Sequence, residues 1–354
     1  MKKHFPYLLL LPLLSLVSVR THAQDVTNLY KGIQQTYFVA DKNLYLETNG
    51  TPGENGNKYS WLWPLCGLIQ ATNELEQLQP KTKYMATVVK AIDQYYNDEA
   101  PAPAYQDYVT SERKSSRFFD DNQWIAIAYL DAYQRNKQPE YLQKAKMIYK
   151  HMIAAGLDTA AGGGLYWKEG ELDSKNTCSN GPGILVALQL YKVTKDRSYL
   201  QMAQTLYNWT NRHLQSPEGL YYDAIKIPSL TLDKRLFTYN TGTMLQSNVL
   251  LYQLTKDKKY LNEAQRIARA GRAHFFKDGK LPGNYWFNAV MLRGYAALYQ
   301  IDKNKDWINF FREDAARVWA EERDENNQFG KKKTKELLDQ AGMLEIYARL
   351  QQLN

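Results

Sequence analysis

Apolar positions in this chain come in a paired helical pattern that recurs. Leu190-Tyr191-Lys192-Val193-Thr194-Lys195-Asp196-Arg197-Ser198-Tyr199-Leu200 returns as Leu251-Tyr252-Gln253-Leu254-Thr255-Lys256-Asp257-Lys258-Lys259-Tyr260-Leu261, an offset of 61 residues. Looser copies start at Tyr133 and Leu298, and Lys83-Tyr84-Met85 continues the series toward the N-terminus. Each copy closes an apolar helix, makes a short charged turn and opens an amphipathic helix. A two-helix unit of this kind cannot bury its apolar face alone and has to stack on neighbours.

The spacing predicts six helices starting near Trp63, Asp121, Gly181, Thr241, Trp286 and Lys335, and six more starting near Val26, Thr82, Pro139, Arg197, Lys258 and Lys303. The first set is apolar all round, as in Gly183-Ile184-Leu185-Val186-Ala187-Leu188-Gln189-Leu190, and belongs inside. The second set carries one charged face and belongs outside. The outer helix at Val26 has no inner helix before it, and the last inner helix has no outer one after it. The two chain ends therefore complement one another and close a ring, an all-α (α/α)6 barrel. Short turns then gather on one rim. The long loops gather on the other, just before the inner helix N-termini, with small hairpins expected around Leu165-Tyr166-Trp167 and Leu220-Tyr221-Tyr222.

The chain has 354 residues. Lys2 and Lys3, an apolar run from Tyr7 to Val19 and Thr21-His22-Ala23 have the form of a secretory leader over residues 1–23. That leaves 24–354 as one catalytic domain, exported to the periplasm or the exterior. The apolar run is shorter than a spanning helix. Removing Lys2, Lys3 and Arg20 takes the formal charge from +8 to +5, a scattered excess that argues against nucleic acid as a partner. Cys66 and Cys178 could pair in an oxidising compartment, but two cysteines are not a disulfide framework. His151, His213 and His274 form no cluster, no Cys/His spacing suits zinc, and neither a metal nor another cofactor is expected. A monomer is expected, without membrane contact once the leader is gone.

The chemistry concentrates at Phe118-Phe119-Asp120-Asp121-Asn122-Gln123-Trp124, where two carboxylates open a helix. One Asp caps a helix start well. A second beside it repels the first and splits their pKa values, which is what acetal hydrolysis needs: one carboxylate ionised, one protonated. Trp61, Trp63, Asn122, Gln123, Asn180, Tyr239, Asn240 and Trp286, with Trp167 on a loop, are expected on the same rim. Rings and amides around an acid pair suit a carbohydrate cleft, though any one of these amides could simply cap a helix. Asp339 and Gln340 fall about where Asn122 and Gln123 do in their own helix.

Several segments together resemble glycoside hydrolase family 76, the bacterial and fungal α-1,6-mannanases, with the look of a secreted Bacteroidetes-type member. The matching pieces are Phe118 to Trp124, Gly163-Gly164-Leu165-Tyr166-Trp167, Lys175-Asn176-Thr177-Cys178-Ser179-Asn180-Gly181-Pro182, Thr238-Tyr239-Asn240, Trp286-Phe287-Asn288 with Leu292-Arg293-Gly294-Tyr295, and Leu337-Leu338-Asp339-Gln340-Ala341. The resemblance implies a retaining hydrolase of α-mannan or manno-oligosaccharides, acting within the chain, with Asp120 as nucleophile and Asp121 as acid/base. Retention requires carboxyl groups about 5–5.5 Å apart. Thr241 and Gly183 depart from the family pattern and are expected to face the cleft. Alternatives are another (α/α)6 carbohydrate enzyme, such as an unsaturated uronyl hydrolase, or a non-catalytic glycan-binding protein on the same barrel.

Overall fold

A computed structural model describes residues 22–50 and 56–353. All but the end of the expected leader lies outside the described residues. Six inner helices are α2 (Leu62–Leu78), α4 (Phe119–Asn136), α6 (Thr177–Thr194), α8 (Thr238–Thr255), α10 (Tyr285–Asp302) and α12 (Leu337–Gln352). Six outer ones are α1 (His22–Tyr37), α3 (Tyr84–Ile92), α5 (Pro139–Gly156), α7 (Arg197–Leu214), α9 (Lys258–Phe275) and α11 (Asp306–Glu321). Each starts within four residues of its expected position. Every inner helix packs on the next, α12 packs back on α2, and α1 lies against α12 to complete the ring. The barrel expected from the repeat is the barrel observed.

The burial of each helix follows its pattern. In α6 every residue from Thr177 to Leu190 is buried, so the helix has no solvent face. In α9 the buried residues are Tyr260, Ala264, Ile267, Ala268, Gly271 and Phe275, one stripe at helical spacing. The recurring turn has a physical explanation as well. Lys137, Lys195, Lys256 and Lys303 each follow an inner helix in the left-handed region, at φ of 60°, 65°, 63° and 57°. Asp196 and Asp257 come next and accept the N–H groups of Ser198 and Lys259, capping α7 and α9. The repeat in the sequence is thus a helix stop joined to a helix start.

A chain of buried polar contacts crosses five inner helices. Gln189 of α6 donates to Asp131 of α4, which also accepts from Gln70 of α2. Arg349 of α12 bonds Glu74 of α2 at 2.5 Å, and Arg293 of α10 holds Glu345 of α12 at 2.6 and 2.7 Å. The α2–α12 contact that closes the ring is therefore ionic as well as apolar.

Short strands occupy the long loops: β1 (Phe38–Val39) with β2 (Leu44–Tyr45), β3 (Tyr96–Asn97) with β4 (Ala104–Tyr105), and a sheet of β5 (Ser174–Asn176), β6 (Tyr222–Lys226) and β7 (Leu232–Leu236). The hairpin expected near Leu220 is a tight reversal that bridges Gln215 and Tyr221, followed at once by the longer hairpin β6–β7. The one expected near Leu165 is a tight reversal just after Trp167, where Lys168 and Glu171 form an antiparallel bridge and the Trp167 N–H donates to the Ser174 carbonyl at 3.1 Å. The backbone before it passes through Gly162, Gly163 and Gly164, all at positive φ, and β5 pairs with β6 from the next long loop.

Helices α8 and α10 cross at two glycines. A Cβ on Gly242 would sit 2.3 Å from Met291 Cα, and one on Gly294 would sit 2.4 Å from the Gly242 carbonyl oxygen. Both obstacles are backbone, so the helices would have to separate. Gly242→Ala is expected to cost at least about 1–3 kcal/mol. A urea unfolding curve with an unshifted midpoint would show that the crossing tolerates a side chain.

Candidate active site

Asp120 and Asp121 are the second and third residues of α4, half-buried where the helix N-terminus faces the loop rim. That end carries partial positive charge and favours an ionised carboxylate. The two acids are treated differently by their surroundings. Asp120 Oδ2 accepts the Trp167 indole N–H at 3.1 Å, its Oδ1 accepts the backbone N–H of Asp121 at 3.1 Å, and the Cys178 thiol lies against it. Asp121 sits among the charges of Asp120 and Asp107. Burial pushes both carboxyls above the ordinary range. The hydrogen bonds hold Asp120 back, whereas the neighbouring charges raise Asp121 further. At neutral pH the proton belongs on Asp121 and the charge on Asp120.

Both cysteines are free and buried, which leaves the possible disulfide unformed. Cys66 Sγ donates to the Asp121 carbonyl at 3.2 Å and Cys178 faces the Asp120 carboxylate, so each thiol supports one member of the acid pair.

The cleft above the pair encloses about 340 Å3 and is lined by Trp61, Trp63, Asp107, Phe118, Asp120, Asp121, Trp124, Trp167, Tyr239, Trp286 and Phe287. Among the expected binding residues, Trp61, Trp167, Tyr239 and Trp286 converge here. Trp167 is 39% exposed at the mouth, whereas Trp286 is 3% exposed and packs edge-on to Trp63 and Trp124. Tyr239 stacks on Phe287 at 4.0 Å between centroids. Phe118, Trp124, Phe287 and Asp107 were not foreseen. The aromatic spacing of Trp124 and Phe287 was a usable signal, since both lie within the first two turns of inner helices already placed on this rim. A single Asp in a long loop gave none.

The four amides expected to bind substrate do something else. Asn122 Oδ1 accepts the Tyr105 N–H at 2.8 Å, and its Nδ2 donates to the carbonyls of Tyr105 and Phe118, both at 2.8 Å. Asn180 repeats the arrangement with Leu165 N–H and the carbonyls of Leu165 and Asn176. Gln340 repeats it with Phe329 and Glu336. Each amide is the fourth residue of an inner helix. It grips one residue of the long loop in both directions and the carbonyl four residues back. Gln340 is thus the counterpart of Asn122 rather than of Gln123. Asn240 is buried and donates to Asp223 at 3.3 Å, and Gln123 is wholly buried outside the cleft lining. Asn122, Gln123, Asn180 and Asn240 therefore leave the binding surface. Thr241 is buried, and Gly183 is enclosed by Leu165, Met152 and Gln123, so neither faces the cleft either.

The loop carrying Trp167 is fixed from below. The Phe119 N–H donates to the Trp167 carbonyl at 3.1 Å, and the Glu169 N–H donates to the Arg117 carbonyl at 3.0 Å. Arg117, only 6% exposed, grips Glu169 through two nitrogens and also bonds the carbonyls of Glu99, Ala100 and Ala102. The backbone that carries Asp120 and the loop that hydrogen-bonds it therefore move as one unit. His151, bonded to Glu169 at 3.0 Å and stacked on Phe119, is part of this support. His213 and His274 lie in the last turns of α7 and α9 against Trp209 and Phe275, as the repeat anticipated.

Holding Asp121 in this site has a stability cost that depends on pH. Its folded-state pKa is raised, so the native state binds the proton more tightly than the unfolded chain does. Stability is greatest below the unfolded value near 4 and is lost as pH rises toward the folded one. Asp121→Asn is neutral throughout and is expected to melt a few degrees above the wild type at pH 8, with the gap closing toward pH 4. Melting curves that differ equally at both pH values would mean the carboxyl is not held protonated.

An (α/α)6 toroid with a paired-acid, aromatic cleft at its helix N-termini is the architecture of a carbohydrate-active enzyme. The chain belongs to glycosyl hydrolase family 76, whose family model matches residues 21–351. A glycoside hydrolase family 76 (mannosidase) from Bacteroides thetaiotaomicron VPI-5482 is similar in structure, with a TM-score of 0.86 and 26% identity over 93% of this chain and 97% of that one. The α-1,6-mannanase of Salegentibacter sp. HEL1_6 shares the fold at a TM-score of 0.82 and 21% identity, over 94% and 100% of the two chains. Mannan endo-1,6-α-mannosidase DCW1 of Saccharomyces cerevisiae is 27% identical over 205 residues, 52% of this chain and 45% of that protein. The match thus spans about half the length of the curated relatives. Among the described residues, no helix is long and apolar enough to cross a membrane.

Proposed function

We propose that the protein is an exported hydrolase of α-1,6-linked mannan that cleaves within the chain and retains anomeric configuration. The observation that carries the reading is the asymmetry of the acid pair: Asp120 receives hydrogen bonds from Trp167 and Asp121, while Asp121 sits beside two other carboxylates. In the first step Asp120 attacks the anomeric carbon as Asp121 gives its proton to the departing glycosidic oxygen. In the second, Asp121 takes a proton from water, and the hydroxide displaces Asp120 from the same carbon. Two inversions at one centre restore the original configuration. The Trp and Tyr walls supply flat apolar surfaces for sugar faces. The names of the relatives support mannan as the substrate. The apolar leader supports action outside the cytoplasm, in the periplasm or beyond it.

An acidic substrate, as for an unsaturated uronyl hydrolase, finds less support. Among the described residues no lysine or arginine lines the cleft. The rim cations are engaged, Arg117 with Glu169 and Lys114 with Glu99. Linear α-1,6-mannan incubated with the protein is expected to give a ladder of short oligosaccharides whose new reducing ends appear first in the α configuration by NMR. Binding of mannan without release would favour a glycan-binding protein on this scaffold, and release from uronic-acid glycans alone would favour the acidic-substrate reading.

The two acids should fail differently. Asp120→Asn is expected to reduce turnover by on the order of ten-thousand-fold or more while the circular-dichroism melt survives. Asp121→Asn is expected to slow mannan by roughly 10²–10⁴ but to spare aryl mannosides with good leaving groups far more. Equal losses on both substrates would remove the acid role from Asp121.

A further inference from the structure

The loop before α4 brings a third carboxylate into the cleft. Asp107 lines the same wall as Asp120 and Asp121. Its backbone fixes it there, because its N–H donates to the Ser116 carbonyl at 2.7 Å and its carbonyl accepts from the N–H of Leu62, the first residue of α2, at 2.8 Å. The Ser115 hydroxyl donates to its Oδ1. A half-buried carboxylate so anchored in an otherwise aromatic wall costs desolvation energy, and neither the loop clamps nor the two chemical steps described above use it.

We propose that Asp107 is a positioning residue of the hydrolysis, a fixed negative charge that keeps the catalytic proton on Asp121 while Asp120 stays ionised. The inference rests on the hydrolase reading and adds a residue to it. The groups facing Asp107 fit the role. Asp121 lies across the cleft from α4, and the cations nearby are Lys168 and Arg113. Lys168 is engaged by Glu171 and the Phe118 ring, and Arg113 by Asn57 and the rings of Tyr108 and Trp61. Burial pushes the Asp107 carboxyl above its ordinary range, and the Ser115 hydroxyl and those two cations work against that rise in favour of its charged form. Asp121 has no cation among the groups that act on it, only the carboxylates of Asp120 and Asp107. The negative charge of Asp107 therefore bears on Asp121 with no cation to offset it, while Asp120 is held ionised by Trp167, Cys178 and a backbone N–H.

The test compares the full chain with Asp107→Asn and Asp107→Glu. Carboxyl 13C NMR titration should place the Asp121 midpoint about one pH unit lower in Asp107→Asn, and close to wild type in Asp107→Glu. The alkaline limb of kcat/KM on mannan should move by the same amount, a roughly tenfold loss above it. A midpoint that stays in place in Asp107→Asn overturns the proposal, even if kcat falls, since a purely structural residue would lower activity without moving a titration. Absence of turnover by the wild type would instead strike the hydrolase reading, and the NMR titration would still decide the role of Asp107.

Discussion

One buried amide in the first turn of an inner helix decides where the loop before it can run. Asn122, Asn180 and Gln340 each accept a loop N–H and donate to that same residue's carbonyl, a two-way grip that a backbone strand would otherwise provide. Removing such a side chain would orphan a buried N–H and a carbonyl together, which costs more than one hydrogen bond returns. Because the grip is local, the loops can differ in length and sequence while still arriving at the rim in fixed register. Three loops of the rim are therefore tied each to its own helix, and the barrel need only hold those helix starts at the right spacing.

That spacing comes from the inner ring. The glycine crossing of α8 and α10 brings two backbones into contact, and the polar chain from Gln189 through Asp131, Gln70, Glu74, Arg349 and Glu345 to Arg293 links α6, α4, α2, α12 and α10. Buried ion pairs return little net stability against apolar replacements, because both charges lose their water. What they add here is register: sliding any of these helices by one residue would strand a charge in the interior. The Arg293 guanidinium also lies 5.5 Å from the Trp124 ring, which joins this belt to the floor of the cleft.

The fold was legible in the sequence because each copy of the repeat contains both the end of one helix and the start of the next, with a capping Asp in the two strongest copies, so period, turn and partner all agree. The place of the acid pair was legible because two like charges at one helix start point to the loop rim, and both line the cleft there. The rest of the site was only half legible, for a physical reason. Asn122 and Asn180 stand where cleft residues should, but an amide that binds sugar and one that binds backbone have the same side chain. Only the position of the loop, which no local pattern encodes, tells them apart. Rings were read more successfully, since Trp61, Trp167, Tyr239 and Trp286 line the cleft whether they act through their faces or their edges. Asp107 went unseen because only the fold brings residue 107 to the cleft wall that holds residue 121.

Withdrawing the amides changes what kind of recognition the cleft can perform. Its polar groups reduce to three carboxylates, the Tyr239 hydroxyl and indole N–H groups, set among eight aromatic side chains. Affinity then comes mainly from stacking and water exclusion, and directional contacts are few and close to the scissile bond. The dry surroundings that favour stacking also raise the carboxyl pKa values, so under the proposed function one feature, the aromatic wall, would serve both binding and acid catalysis. It does so against stability, because two adjacent acids in an apolar wall favour the protonated chain. The loop grips and the ionic belt are the part of the structure that can hold such a site in place.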